Sequence, residues 1–254
     1  MIRRPPRSTL SSSSAASDVY KRQGEWKYDL DLSGIIAFGE AAAVSKTLAS
    51  IDLSDCGISS KGIAEVARFM SAGTSVVTTN CLANKFGEDE LSTLLAAIKG
   101  TSVRSLCGLT EGQTVADFSD QNLGPIDCKI MAAEFAFQGF ITSVTTLVLD
   151  EGELSGTKIK FKGQSYEELE QLDADLSGFE ALCLALASSQ IITLSLKKCY
   201  LGPQAIALLA DATSKMPSLA LVNIAFNKIG AEGGVAGAGG AQGCGASRGG
   251  APRG

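Results

Sequence analysis

The residues of this chain that could do chemistry are carboxylates, cysteines and one short serine-lysine pattern. The chain has no histidine, which removes the usual general base, the Ser-His and Cys-His dyads and the commonest metal ligand. Ser155 and Lys158 spell S-x-x-K, a pattern that marks a catalytic serine in some enzymes. So short a match is common by chance, and this one lies in an insertion. We therefore expect no catalytic residue, no metal site and no cofactor, and we interpret the chain as a non-enzyme.

The cysteines indicate a compartment and not a reaction. There are seven of them, an odd number, and no two are spaced as C-x-x-C. Secreted frameworks pair their cysteines, whereas free thiols are typical of reducing compartments. The sequence therefore predicts a cytoplasmic protein.

Charge and hydropathy exclude several classes of partner. The whole chain carries a net charge of −5. Seven basic residues and one acidic residue lie outside 24–233, so that segment has 15 basic and 26 acidic residues and a net charge of −11. A segment with this much negative charge argues against a nucleic-acid partner, because the phosphate backbone is also negative. No stretch reaches the roughly 18 consecutive apolar residues of a membrane-spanning helix. We expect a protein partner, with no nucleic acid, no membrane and no small-molecule substrate.

Both ends of the chain differ in composition from the middle. Residues 1–23 are basic and Ser-rich, as in an organelle transit peptide, but they look more like a translated sequencing adapter. Residues 234–254 hold nine glycines and almost no large apolar side chain. Such segments bury too little apolar surface to offset their ordering entropy. We expect both ends to be disordered.

A repeated spacing of apolar residues organises what remains. Leu48, Ile51, Leu53, Cys56 and Ile58 stand at relative positions 1, 4, 6, 9 and 11 of the first unit. A fixed period of this length indicates a repeat architecture. The strand positions 4 and 6 of the six units are Ile51 and Leu53, Thr79 and Cys81, Ala116 and Phe118, Leu147 and Leu149, Leu194 and Leu196, and Val222 and Ile224. The second residue of each pair is expected to join one buried ladder.

A helical pattern follows five of these strands. Apolar or small residues recur at i, i+3, i+4 and i+7, which predicts one buried stripe per helix. The stripes are Ile63/Val66/Ala67/Met70, Leu91/Leu94/Leu95/Ile98, Cys128/Met131/Ala132/Phe135, Phe179/Leu182/Cys183/Leu186 and Ala205/Leu208/Leu209/Ala212. Strands joined through helices must pair in parallel.

The units therefore predict an α/β fold, a curved solenoid shaped like a horseshoe. Parallel strands line its concave face and helices its convex face. The repeats span 48–233, with insertions near 104–113 and 155–175, and 24–47 forms an irregular N-terminal cap. The second insertion is expected to be a solvated hairpin or loop, or alternatively a protruding contact element.

The pattern LxxLxLxx(N/C)xL followed by a Gly-led helix, as in Leu48 to Met70, resembles leucine-rich repeats of the ribonuclease-inhibitor type. Members of that family include inhibitors, the sensor regions of NOD-like immune receptors and GTPase-activating proteins for Ran. The resemblance implies a protein-interaction scaffold that binds through its concave face. The alternative is a GTPase-regulating protein similar to the Ran activators, or a sensor fragment of an immune-type receptor.

Residues between the buried strand positions are expected to point out of the concave face, because side chains alternate along a strand. Thr78 and Ser195 belong to this set. The predicted partner-binding residues are Asp52, Asp55, Asn80, Asp117, Asp120, Asp150, Glu151, Lys197, Lys198 and Asn223. The face is mostly acidic and turns basic near its C-terminal end, so we expect a partner with a basic patch. The alternative is that these acids only form a solvated surface.

Overall fold

Short strands alternate with helices along most of the chain. The computed structural model describes residues 20–22, 25–27, 31–72, 75–162 and 166–230. The strands are β1 (Tyr20–Arg22), β2 (Glu25–Lys27), β3 (Ser50–Asp52), β4 (Thr78–Asn80), β5 (Val115–Asp117), β6 (Thr146–Val148), β7 (Lys158–Lys162), β8 (Tyr166–Gln171), β9 (Thr193–Ser195) and β10 (Leu221–Asn223). The helices are α1 (Ser33–Val44), α2 (Ser60–Ser71), α3 (Glu88–Ile98), α4 (Pro125–Ala136), α5 (Ser177–Leu186) and α6 (Pro203–Thr213), with a short 3-10 helix at Phe140–Ser143.

The repeat strands pair in parallel and in one register. β3 pairs with β4, and β5, β6, β9 and β10 form a second sheet in that spatial order. The fourth position of each unit faces the fourth position of the next, so that Ala116, Leu147, Leu194 and Val222 lie side by side. The parallel α/β arrangement agrees with the prediction, but the six strands form two sheets.

The break between the two sheets lies in the insertion predicted near 104–113. Ser105 bridges to Thr78 in the parallel sense, whereas Cys107 bridges to Asn80 in the antiparallel sense. Gly108 follows these bridges, and its φ of +77° favours glycine. A Cβ at this glycine would lie 3.0 Å from the Asn80 Cβ. This segment therefore continues the ladder for a few residues and then leaves it.

The core follows the predicted apolar positions. All members of the five helical stripes are buried or half-buried, and Leu53, Cys81, Phe118, Leu149 and Leu196 are each at most 6 % exposed. The sixth ladder residue differs, because Ile224 is only half-buried. It follows β10, which lies at the end of its sheet.

Helix starts follow from local sequence. α4 and α6 begin at Pro125 and Pro203, each directly after a glycine. Proline suits the first helical position, because its missing N–H has no intrahelical acceptor there. In α4 the Asp127 carboxylate also accepts the Gly124 N–H at 2.8 Å, which satisfies a backbone donor at the helix start.

The insertion predicted at 155–175 contains an antiparallel hairpin, β7 paired with β8. Its base is fixed to the repeats. The Thr157 hydroxyl donates to the Tyr200 carbonyl at 3.0 Å and accepts the Asp173 N–H at 3.1 Å. The Asp173 carboxylate in turn accepts the N–H groups of Gly202, Gln204 and Ala205 at the start of α6, at 2.8, 3.0 and 3.1 Å.

The segment 24–47, for which an irregular N-terminal cap is predicted, holds β2 and the helix α1. Ile35 and Ala42 of α1 are buried, and the Phe38 ring meets Phe69 of α2 edge to face. Of the segment 1–23, for which disorder is predicted, the structure describes Tyr20–Arg22, which pairs with β2. Residues 1–19 and the 234–254 tail lie outside the described residues. Among the helices of the described ranges, none is both long enough and apolar enough to cross a membrane.

Candidate partner-binding face

Each of the six repeat strands ends in a similar turn, in which two positions recur. The last strand residues lie in register: Asp52, Asn80, Asp117, Val148, Ser195 and Asn223. The residues three positions later all have a left-handed backbone, with φ between 48° and 66°: Asp55, Ala83, Asp120, Glu151, Lys198 and Phe226. We call these two sets, together with Asp150 and Lys197 between them, the turn face.

The strand-end position has a structural task in four units. The Oδ1 atoms of Asp52 and Asp117 each accept the N–H of the serine two residues later at 3.0 Å, and its hydroxyl at 2.7 and 2.6 Å. Hydrogen bonds from Ser119 lower the pKa of Asp117. Asn80 and Asn223 accept the corresponding N–H at 3.2 Å. An Asp or Asn side chain therefore closes the turn, and the aspartates add charge.

Asp150 is tied into a network that spans three neighbouring strands. Its Oδ1 accepts the Ser195 hydroxyl at 2.6 Å and the Lys197 N–H at 2.8 Å. The Asn223 amide then donates to the Ser195 oxygen at 3.1 Å. Asp150 is half-buried, so its carboxylate stabilises the fold and presents less charge to solvent than its position suggests.

The left-handed position carries most of the accessible charge. Asp55, Asp120 and Lys198 are exposed, and Lys198 pairs with Glu151 of the neighbouring unit at 2.8 Å. This bond lowers the pKa of Glu151. The face is therefore acidic at the first and third units, and its charges balance where the fourth and fifth units meet.

In the last unit the left-handed position of the turn face is apolar. The Phe226 side chain is 74 % exposed, and the Lys197 ammonium lies 5.9 Å from its ring centroid, a cation-π distance.

All ten predicted partner-binding residues are exposed or half-buried. Two further residues expected on this face, Thr78 and Ser195, are buried. Thr78 is covered because its hydroxyl donates to the Leu109 carbonyl of the inserted segment at 2.9 Å.

The Asn or Cys position of the repeat serves the backbone. The Asn84 amide donates to the Leu53 carbonyl at 2.7 Å, and its oxygen accepts the Ile58 N–H at 3.0 Å. The Cys199 thiol contacts the Leu149 carbonyl at 3.1 Å. Burial raises the pKa of Cys199 to about 12, so this thiol is inert. Within the described part of the chain the cysteines form no disulfide, and no group of three potential ligands could hold a metal ion.

Two buried carboxylates were missed by sequence reasoning. Asp127 accepts the Ala83 N–H at 2.7 Å, across 44 residues of sequence. Glu134 accepts the N–H groups of Leu106 and Ile141 at 2.9 and 3.1 Å. Helical spacing could have indicated that Glu134 is buried, because a residue three positions after Met131 lies on the apolar side of α4.

Two stretches of the chain, residues 44–67 and 215–236, match the family model described as Leucine Rich repeat. They contain the first and the sixth strand of the register described above. The matches and the repeated turn support a leucine-rich repeat protein, and such repeats generally serve as non-catalytic protein-interaction modules. No curated protein matches the chain.

Proposed function

We propose that this chain is a non-catalytic scaffold that binds a protein partner through the turn face. In this proposal the repeats stack into a curved solenoid of the ribonuclease-inhibitor type, with strands on the concave face and helices outside. The turn face then lines the concave side, where repeat proteins present extended binding surfaces. We also propose a cytoplasmic location, which the free cysteines support.

One observation carries it, the left-handed position of the turn. Its backbone conformation is the same in all six units, while its side chain is Asp, Ala, Asp, Glu, Lys or Phe. Ala83 is buried, but the other five side chains at this position are exposed or half-buried. In those five units the fold does not require a particular side chain, so the position is free to be chosen for binding, and it presents charge and one large aromatic ring.

The accessible charge favours a partner with a basic patch. Asp52, Asp55, Asp117 and Asp120 are all exposed. Carboxylates on one surface attract a positively charged protein and speed its association, and salt screens this effect.

The experiment replaces these four acids without disturbing the turns. Asp52→Asn and Asp117→Asn keep the turn hydrogen bond, because Asn80 and Asn223 make the same bond in other units. Asp55→Lys and Asp120→Lys put lysine where Lys198 already has a left-handed φ of 57°. For a partner recovered by affinity capture, the fourfold variant should slow association by about tenfold or more at low salt.

The matched control changes acids on the helices instead. Glu40, Glu180 and Asp211 are exposed on α1, α5 and α6, and their replacement by Asn or Gln should leave the association rate unchanged. Thermal melting checks that both variants fold. If the fourfold variant associates as fast as the original protein and with the same salt dependence, the turn face is not the binding surface.

A further inference from the structure

An apolar groove lies between the C-terminal halves of α3 and α4, on the helix side of the protein. Its volume is about 450 Å³, which is within the range of ligand pockets. The residues that line it are mostly apolar, among them Leu95, Ile98, Val103, Ala133, Ala136 and Phe137.

The groove lies where an inserted segment separates α3 from α4 without adding a helix. Residues 99–113 pass from α3 towards β5 and make two isolated bridges to β4, and the described chain forms no helix between Ile98 and Pro125. An ion pair joins Glu88, the first residue of α3, to Lys129 in the second turn of α4. This contact connects the N-terminal halves of the two helices, and the groove lies between their C-terminal halves.

The floor of the groove is held in position by buried hydrogen bonds. Arg104 and Val103 line it, and the Arg104 carbonyl accepts the Phe140 N–H at 3.0 Å. Directly after them, the Ser105 hydroxyl and the Leu106 N–H donate to Glu134 of α4 at 3.1 and 2.9 Å. A site whose walls and floor are fixed before binding loses little conformational entropy when it is filled.

The charged residues of the groove have one sign. Lys99 and Arg104 line it, both are exposed, and the lining contains no carboxylate. This contrasts with the acidic segment 24–233 as a whole. An amphipathic occupant would bury its apolar side chains against the groove. Carboxylates beside those side chains would pair with the two cations.

We propose that this groove binds an amphipathic helix of a partner protein, with large apolar side chains spaced i, i+3 or i+4 and acidic residues beside them. Because the walls of the groove are helices, the occupant fills the space that the inserted segment leaves between α3 and α4, as in helix-in-groove recognition. The site is separate from the turn face and does not depend on it.

The test selects binders from a display library of helical peptides of roughly 16 residues, about four turns, against the full chain. Selected peptides should carry the apolar spacing and acidic flanks, and fluorescence anisotropy then measures their affinity. Ala136→Glu adds a negative charge at an exposed position of the groove, and it should weaken binding by about tenfold or more. Ala210→Glu, at an exposed alanine of α6, is the matched control and should have no effect.

A charge reversal gives a second, independent readout. Lys99→Glu with Arg104→Glu should weaken the same peptides, and peptides with lysine in place of their acids should regain affinity for this double variant. The reversal remains decisive if Ala136→Glu fails to fold. The proposal is overturned if no helical peptide is recovered, if the selected peptides bind Ala136→Glu as tightly as the original protein, or if only extended peptides or the dye anilinonaphthalene sulfonate bind the groove. The fourfold turn-face variant should bind the peptides normally, so this result is independent of the turn-face proposal.

Discussion

Two carboxylates inside the molecule, Asp127 and Glu134, connect parts of the backbone that the repeat pattern does not connect. Glu134 is fully buried and accepts the Ser105 hydroxyl and the N–H groups of Leu106, Cys107 and Ile141. A buried backbone N–H without an acceptor costs free energy comparable to a lost hydrogen bond. One side chain therefore stabilises the inserted segment against α4.

Removing the Glu134 carboxylate should destabilise the protein strongly. Glu134→Ala leaves several buried donors without an acceptor, and the free energy of unfolding should fall by about 3 kcal/mol or more. Glu134→Gln keeps one oxygen for the donors of 105–107 and should lose about 1–2 kcal/mol. Urea denaturation measures both, with Glu40→Ala on the exposed side of α1 as the control. Equal stability of Glu134→Ala and the original protein would mean that this network contributes nothing.

Asp127 should make stability fall as pH rises. Burial raises its pKa from 3.8 to about 6, although the N–H groups of Gly124 and Ala83 act in the opposite direction. Between these two pH values the folded state binds a proton that the unfolded state has lost. The contribution of Asp127 to the unfolding free energy is therefore full below pH 3.8 and decreases by roughly 2–3 kcal/mol as pH rises to 6.

The check is the difference in unfolding free energy between Asp127→Asn and the original protein, measured from pH 4 to pH 7. The variant lacks this titration, so the difference should shift in its favour as pH rises. Asp120→Asn, at an exposed carboxylate of the turn face, provides the reference. A difference that shifts the other way would mean that the two N–H donors outweigh burial.

At this scale the apolar residues could be predicted and the buried acids could not. Leu149 and Leu196 were assigned to the core because their spacing repeats along the chain, and both are buried. Asp127 and Glu134 accept from donors up to 44 residues away, and no local pattern contains that information. Thr78 was predicted to be exposed, but it is buried because the inserted segment covers it.

At the scale of elements, the hairpin and its base have different tasks. The strands β7 and β8 pair with each other. The base instead belongs to the repeats, since Asp173 accepts three N–H groups at the start of α6. A Cβ at position 202 would lie 2.5 Å from Asp173 Oδ2, so Gly202 allows this close approach.

Separate changes to the base and to the hairpin should therefore have unequal effects. Asp173→Ala removes a helix cap and should lower the free energy of unfolding by about 1–2 kcal/mol. Replacing residues 159–170 with an Asn-Gly turn keeps the base and should change stability by less than about 0.5 kcal/mol. Chemical denaturation of the two variants side by side tests this. A hairpin deletion more damaging than Asp173→Ala would show that the fold depends on β7 and β8.

The sequence predicts the strands of this insertion better than its role. Lys158 to Lys162 alternates basic and apolar residues, which is typical of a strand, and this stretch forms β7. The capping role of Asp173 was not predictable, because a cap normally precedes its helix directly, and this one lies 29 residues before the glycine whose N–H it accepts. The same limit applies to 104–113, where the insertion was recognised but its partial pairing with β4 was not.

At the scale of the whole molecule, stability should decrease towards the end of the second sheet. Among the described strands β10 pairs with β9 alone, and Leu221 and Val222 are exposed by 51 and 38 %. β9 in contrast has partners on both sides, and its Leu194 is fully buried. In repeat proteins each unit is stabilised by its neighbours, so a strand with one neighbour opens more easily.

Hydrogen exchange followed by mass spectrometry or NMR should show this gradient. Amide protons of β10 should exchange about tenfold or more faster than those of β9, because local opening of an outer strand breaks fewer contacts than opening of an inner one. β6, which pairs with β5 and β9, is the internal reference and should match β9. Val222→Thr, which removes apolar character from an exposed strand position, should leave the exchange of β9 unchanged. Equal protection of β10 and β9 would mean that the six units unfold as one cooperative body and that β10 is not a weak end of the sheet.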